Sequence, residues 1–199
     1  MKSIMETSLK RIVHLLLLAA LSILTVNAKV ISYPAPKGET LSSDYMVEVD
    51  GVSVPVYMAK TQHHDKKYSI AYFDFSGTVT VKIKSKLSLD HLNILPDKYA
   101  IHPSVNKDIA TFHLNEPCDI SFEPDGCNSP LILFCNELET DIPSKNDPNV
   151  IYFGPGEHNP ENGLIRLGSN QTLYLAGGAV VNAGIEATAV SYTHLRAHE

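Results

Sequence analysis

The chain is predicted to be all-β, an antiparallel β-sandwich followed by the first coils of a parallel β-helix. Two patterns in its 199 residues predict this. From Val30 to Leu138, about seven short runs of β-formers alternate apolar with polar residues between turn signals, the spacing of an antiparallel sandwich. From Val150 to Val181 the runs shrink to about three or four residues, each bounded by Gly, Pro, Ser or Asn, and no helical period fits them. Such a rhythm belongs to a chain winding through small coils.

Residues 1–28 read as a secretory signal peptide. Lys2, Lys10 and Arg11 precede an apolar run from Ile12 to Leu24, and Val26-Asn-Ala28 supplies a small-residue cleavage site. The run is about thirteen residues, short of the roughly twenty that span a bilayer. The mature chain is therefore expected to begin at Lys29, to be secreted or periplasmic, and to make no stable membrane insertion. Residue 29 is Lys and not Cys, so a lipoprotein anchor is not expected.

Residues 29–143 are assigned to the sandwich. Met46 to Met58 reads as two strands joined at Asp50-Gly51, a dipeptide that accepts the positive φ angles of a tight hairpin turn. Val52, Val54 and Val56 alternate with Ser53 and Pro55, and Pro55, which cannot donate to a ladder, either marks an edge strand or lies on the strand's free side. Tyr68 to Phe75 comes next, then Thr78 to Ile83 with Val79, Val81 and Ile83 inward and Thr80 and Lys82 outward. Thr111 to Leu114, Asp119 to Glu123 and Leu131 to Cys135 complete the set.

Three cysteines, Cys118, Cys127 and Cys135, fall close together in a chain marked for export, where disulfides persist. A hairpin around Asp125-Gly126 brings Cys118 and Cys135 together at its open end and leaves Cys127 at the tip. Either that pair is bonded or the thiols are buried and free, and a one-residue slip of register would separate them. With no Cys-x-x-Cys and no nearby His pair, the spacing is not that of a zinc site.

The polar, turn-rich Ser144-Lys-Asn-Asp-Pro-Asn149 is the expected linker, and residues 150–190 the start of the helix. Within it, Val150 to Phe153, Leu164 to Leu167, Thr172 to Leu175 and Ala179 to Val181 are the expected strands. Residues 191–199, Ser-Tyr-Thr-His-Leu-Arg-Ala-His-Glu, abandon the small-apolar rhythm with no turn or cap. They resemble translated sequencing adapter, a non-native tail. His194 and His198 have the spacing of a zinc-protease helix, but Leu195 stands where that motif needs its Glu.

Phe153-Gly-Pro-Gly156, Leu167-Gly-Ser-Asn-Gln-Thr-Leu-Tyr-Leu175 and Gly178-Ala-Val-Val181 together resemble the opening turn of the β-helix in polygalacturonase-like glycoside hydrolases, family 28, and the related dextranase group. Tyr72-Phe-Asp-Phe-Ser-Gly77 extends the resemblance weakly into the sandwich. It implies a right-handed helix, an amino-terminal β-domain packed on the first coils, and a secreted enzyme acting on a polysaccharide. It also implies that the chain is an amino-terminal fragment, because the family's catalytic pieces lie on later coils.

Those enzymes pair a general acid with a second carboxylate, and inverting members hold the two roughly 6.5–9.5 Å apart around a water. In the family they come from Asn-x-Asp, Asp-Asp and Gly-His-Gly pieces with an Arg-x-Lys piece nearby, and none occurs in Val150 to Val190. No catalytic, cofactor or metal residue is therefore assigned, and the chain as it stands is expected to be inactive. Glu157 and His158 after the Gly154-Pro-Gly156 turn read as a solvated cap. His63-His64-Asp65 reads as a hydrophilic loop. Asn170-Gln-Thr172 is a glycosylation sequon, but Asn also suits the left-handed corner of a coil. Gly177-Gly178 lacks the helix start and Lys of a phosphate cradle.

The net charge is −6, and since the leader holds three basic residues against Glu6, the mature chain is more acidic still. Without a basic cluster, nucleic acid is not an expected partner. The expected partner is a polysaccharide bound by the whole protein. A β-helix polysaccharide lyase and a non-catalytic carbohydrate-binding surface protein share this architecture and are the alternatives.

Overall fold

A computed structural model describes residues 28–35, 37, 39–60, 67–187 and 195–196. Residues 1–27 of the leader, His63-His64-Asp65, His194 and His198 lie outside the described residues.

Two sheets face each other across the larger core. One runs β3 (Val52–Val54), β2 (Tyr45–Val49), β6 (Val79–Ser85), β9 (Ile109–Leu114) and β8 (Ser104–Asn106), antiparallel throughout. The other runs β1 (Lys29–Ser32), β5 (Lys67–Ser76), β11 (Leu131–Glu137), β10 (Cys118–Cys127) and β7 (Asn93–Leu95), with β4 (Tyr57–Lys60) sharing the β1 edge of β5. One pairing in this sandwich is parallel: β11 lies alongside β5, Leu131 opposite Ser69 through Glu137 opposite Phe75. The chain leaves β5, builds the second sheet, and returns on β5's other side in the same direction. Buried residues alternate along β6 and β9 as a half-wet sheet requires. Val79, Val81 and Ile83 are buried while Lys82 and Lys84 are exposed.

The described sandwich has more strands than the seven expected. β1, β4, β7 and β8 escape the pattern because edge strands of three or four residues hold too few alternations to register. The Asp50-Gly51 turn forms with φ of 46° and 82°, but its second strand stops at Val54. Pro55 breaks the ladder there and the chain crosses to the opposite sheet, so Tyr57 and Met58 pair with β5. Val52 is exposed, not inward.

Beyond the sandwich the chain coils. β12 (Val150–Phe153) pairs in parallel with β15 (Thr172–Leu175), β13 (Gly156–His158) with β16 (Ala179–Val181), and β14 (Leu164–Leu167) with β17 (Gly184–Ala187). Val150 opposes Thr172, Gly156 opposes Ala179 and Leu164 opposes Gly184, so each turn takes about 20–23 residues and two rungs form. Gly184–Ala187 adds a strand the sequence hid, and β18 (Leu195–Arg196) pairs with β15 at Leu173 and Tyr174, which therefore have neighbours on both sides. In-register stacking fills the coil with Ile151 beside Leu173 and Phe153 beside Leu175, closed by Ile165 and Leu167. Gly178 turns the corner at φ 81°, and Asn170 sits at φ 60°, the left-handed corner conformation.

Tyr33, just after β1, joins the two parts. Its ring stacks on Tyr72 with centroids 5.4 Å apart, and its hydroxyl donates to Asp74 Oδ2 at 2.5 Å. Its other side meets Gly177 so closely that a Cβ there would run into the ring. Tyr33 is held by its stack and its hydrogen bond, so it cannot yield easily. Gly177→Ala is therefore expected to destabilise by about 1–3 kcal/mol, whereas Gly154→Ala, whose Cβ would sit an ordinary 3.7 Å from Tyr152, changes little. In thermal melts, adding Tyr33→Ala should relieve part of the Gly177→Ala cost; strictly additive losses would refute the contact.

Candidate functional site

Three polar groupings are candidates. The first is the seam itself. Asp74 is 1% exposed, and besides Tyr33 it accepts from Asn136 Nδ2 at 3.4 Å. Tyr174, buried on the outer face of β15, donates its hydroxyl to Glu139 Oε2 and lies 5.0 Å from the ring of Tyr152 one coil below. Tyr57 meets Tyr72 edge-on at 6.4 Å. These carboxylates sit between packed rings and accept phenolic hydrogen bonds, so the grouping holds the two parts together and offers no open face to a substrate.

The second lies on the coils. Glu157 and His158 form part of β13, not a loose cap. His158 Nε2 is bonded to Gly154 O at 2.7 Å, and its ring packs on Phe153 with centroids 5.1 Å apart. Glu157 accepts from Asn182 Nδ2 at 3.2 Å, and Asn182 also donates to Asn159 Oδ1 at 3.0 Å. One face away, Arg166 Nε meets Glu186 Oε2 at 2.9 Å across neighbouring rungs. Glu157 and Glu186 are thus partners in rung-to-rung contacts.

The third is a cleft of about 420 Å³ at one end of the sandwich, where Tyr99, His102, His113, Asn115, Glu116 and Cys118 converge. No sequence spacing announces it, because its wall comes from the end of β9, the start of β10 and the connection before β8. Cys118, one of the predicted cysteine pair, lines it. Cys118 and Cys135 are direct register partners, both buried and both free, while Cys127 is exposed near the hairpin tip. A hydrogen bond from Cys135 holds the Cys118 thiol below its ordinary range. Burial, and then that bond, push Cys135 well above it. Among the described residues no group of three or more His, Cys, Asp or Glu side chains could hold a metal ion, and no helix is long and apolar enough to cross a membrane.

No protein-family model and no curated protein matches the chain. Among solved structures it is similar to Dex49A from Penicillium minioluteum, a dextranase of glycoside hydrolase family 49, with TM-score 0.55 and 17% identity over 82% of this chain. The shared fold is all-β, with a parallel β-helix. The chain spans 47% of that structure, a little under half its length. At this identity the likeness concerns the fold, and it is not specific to family 28.

The seam makes a pH prediction. Burial first, and then Asp74, raise the Tyr33 hydroxyl above its ordinary 10; burial also raises Tyr72, and Tyr57 is pushed up to about 12. A raised phenol contributes stability that is complete below pH 10 and is lost as pH climbs through the folded values. Melting temperature should hold up to about pH 10 and then fall, and Tyr33→Phe should shrink the fall. An alkaline loss identical in that variant would show that these phenols do not govern it.

Proposed function

We propose that this chain is the amino-terminal part of an exported, polysaccharide-degrading glycoside hydrolase of polygalacturonase-like type. What supports this reading is one arrangement, a β-sandwich docked by a tyrosine seam onto the opening coils of a parallel β-helix, together with the family wording of Val150 to Val181. The leader supplies export. The sandwich supplies a folded base, covering the outer side of β12 and β15 and so fixing the first rungs on which later coils stack. Hydrolysis needs an acid and a second carboxylate facing one glycosidic oxygen. Glu157 and Glu186 are engaged in rung contacts, so that pair is assigned to coils beyond these.

The test reads the frame from an intact genomic copy past Val190 and expresses the longer protein. Two Asp-bearing pieces on neighbouring coils are expected, with release of reducing sugar from polygalacturonate or from dextran, the polymer cleaved deciding the substrate class. Changing either Asp to Asn should lower kcat about 10²–10⁴-fold, and the 199-residue chain should release nothing. Coils without converging carboxylates, or unsaturated sugar products from a lyase, would overturn the proposal.

A further inference from the structure

We propose that Cys118 and Cys135 are a modification site: a dithiol entered at Cys118 through the sandwich cleft and closed to a disulfide by exchange with a low-molecular-weight disulfide. Three observations converge on it. The residues are directly opposite on antiparallel β10 and β11, and such pairs have Cα atoms about 4.5–5.5 Å apart, inside the range a disulfide spans. Both side chains face the sandwich core from those opposed positions, so their sulfurs lie on the same side of the sheet. And they are unequally reached: Cys118 is 6% exposed but lines the cleft, whereas Cys135 is 1% exposed and contributes nothing to it.

That inequality sets the order of events. The Cys118 sulfur, whose thiolate the neighbouring thiol favours, attacks one sulfur of the external disulfide. The S–S bond breaks, a mixed disulfide forms on Cys118, and one external thiolate leaves and takes up the proton Cys118 has lost. Cys135 then attacks the Cys118 sulfur as a thiolate, its proton passing out past Cys118 to solvent. The mixed bond breaks, the Cys118–Cys135 bond forms, and the second external thiolate leaves to take up that proton. Two protein thiols are oxidised and one external disulfide is reduced to two thiols.

The placement gives the bond a consequence. Cys135 lies opposite Phe73 on β5, and the next residue, Asn136, donates to Asp74 in the seam. Closing the pair fastens β10 to the strand that braces the seam, whereas Cys127, exposed near the hairpin tip, is left out and serves as an internal control.

The experiment incubates the reduced full chain with oxidised glutathione, blocks remaining thiols by alkylation, and maps the peptides by mass spectrometry. The expected product links Cys118 to Cys135, with Cys127 alkylated or glutathionylated, and melts about 5–10 °C higher than the reduced chain. In Cys135→Ser the second step is lost, so a persistent mixed disulfide should appear on Cys118. In Cys118→Ser, Cys135 should stay unmodified in the folded chain. Because the wild-type map needs no variant, a folding failure in either leaves the test intact. If the wild-type chain shows modification of Cys127 alone, or a link from Cys127 to either partner, the proposal is wrong.

Discussion

Strand β5 is buried on both faces, and the rest of the fold is arranged around that constraint. Its odd residues, Ala71, Phe73 and Phe75, enter the sandwich core, while its even ones, Tyr72 and Asp74, face the other way and are also buried. A sandwich strand normally leaves its second face to water. Here that face carries a carboxylate and a phenol, which are costly to bury unless hydrogen-bonded. Tyr33 offsets that cost, covering Tyr72 with its ring and donating to Asp74, while its far side seats the Gly177 corner of the coil. The lack of a side chain at Gly177 and the ring of Tyr33 are two halves of one contact.

This contact matters because the coil is poor in core of its own. Ile165, Leu167 and Leu173 are its buried centre, with Ile151, Phe153 and Leu175 partly covered, and Ile185 on the upper rung is 49% exposed. Solenoid repeats bury a continuous core only by stacking, so a first rung needs a cap or another body beneath or beside it. The sandwich supplies the second. Leu173 and Tyr174 are adjacent and both buried, one inward to the coil and one outward to Glu139, which is the coil's counterpart of the double burial in β5. Each part contributes a strand whose second face is covered at the seam.

What the sequence made legible were features with short-range physical causes. Asp50-Gly51 needs no partner to prefer its turn. Val79, Val81 and Ile83 declare a buried face by alternation, and the pairing of Cys118 with Cys135 results from a hairpin whose turn lies in between. The even residues of β5 were legible only as an unusual run, Tyr72-Phe-Asp-Phe75, because what covers them is Tyr33, some forty positions earlier and in no periodic segment. The cleft was invisible for a similar reason. His102 and His113 belong to different elements, and only the β8–β9 pairing brings their segments to one end of the sandwich. Glu157 and His158 looked like a loose cap because three-residue strands beside a Gly-Pro-Gly turn carry no period, and it is the parallel pairing with Ala179 to Val181 that makes them a rung.

The same pairing bears on the proposed hydrolytic role. A general acid must hold a proton and point it at a glycosidic oxygen, and its partner must hold a water; neither task suits a carboxylate committed to the next rung. Glu157 accepts from Asn182, and Glu186 accepts from Arg166, each bridging neighbouring turns. Seam carboxylates are committed too, Asp74 to Tyr33 and Asn136, Glu139 to Tyr174. These acidic side chains in the coils and at the seam therefore serve assembly. What they assemble is a coil whose parallel register comes from its own ladders, Val150 opposite Thr172 and Gly156 opposite Ala179, and whose corner at Gly177 is seated on Tyr33, so the sandwich fixes where the first rung lies while the rung-to-rung pairs fix how the next one sits upon it.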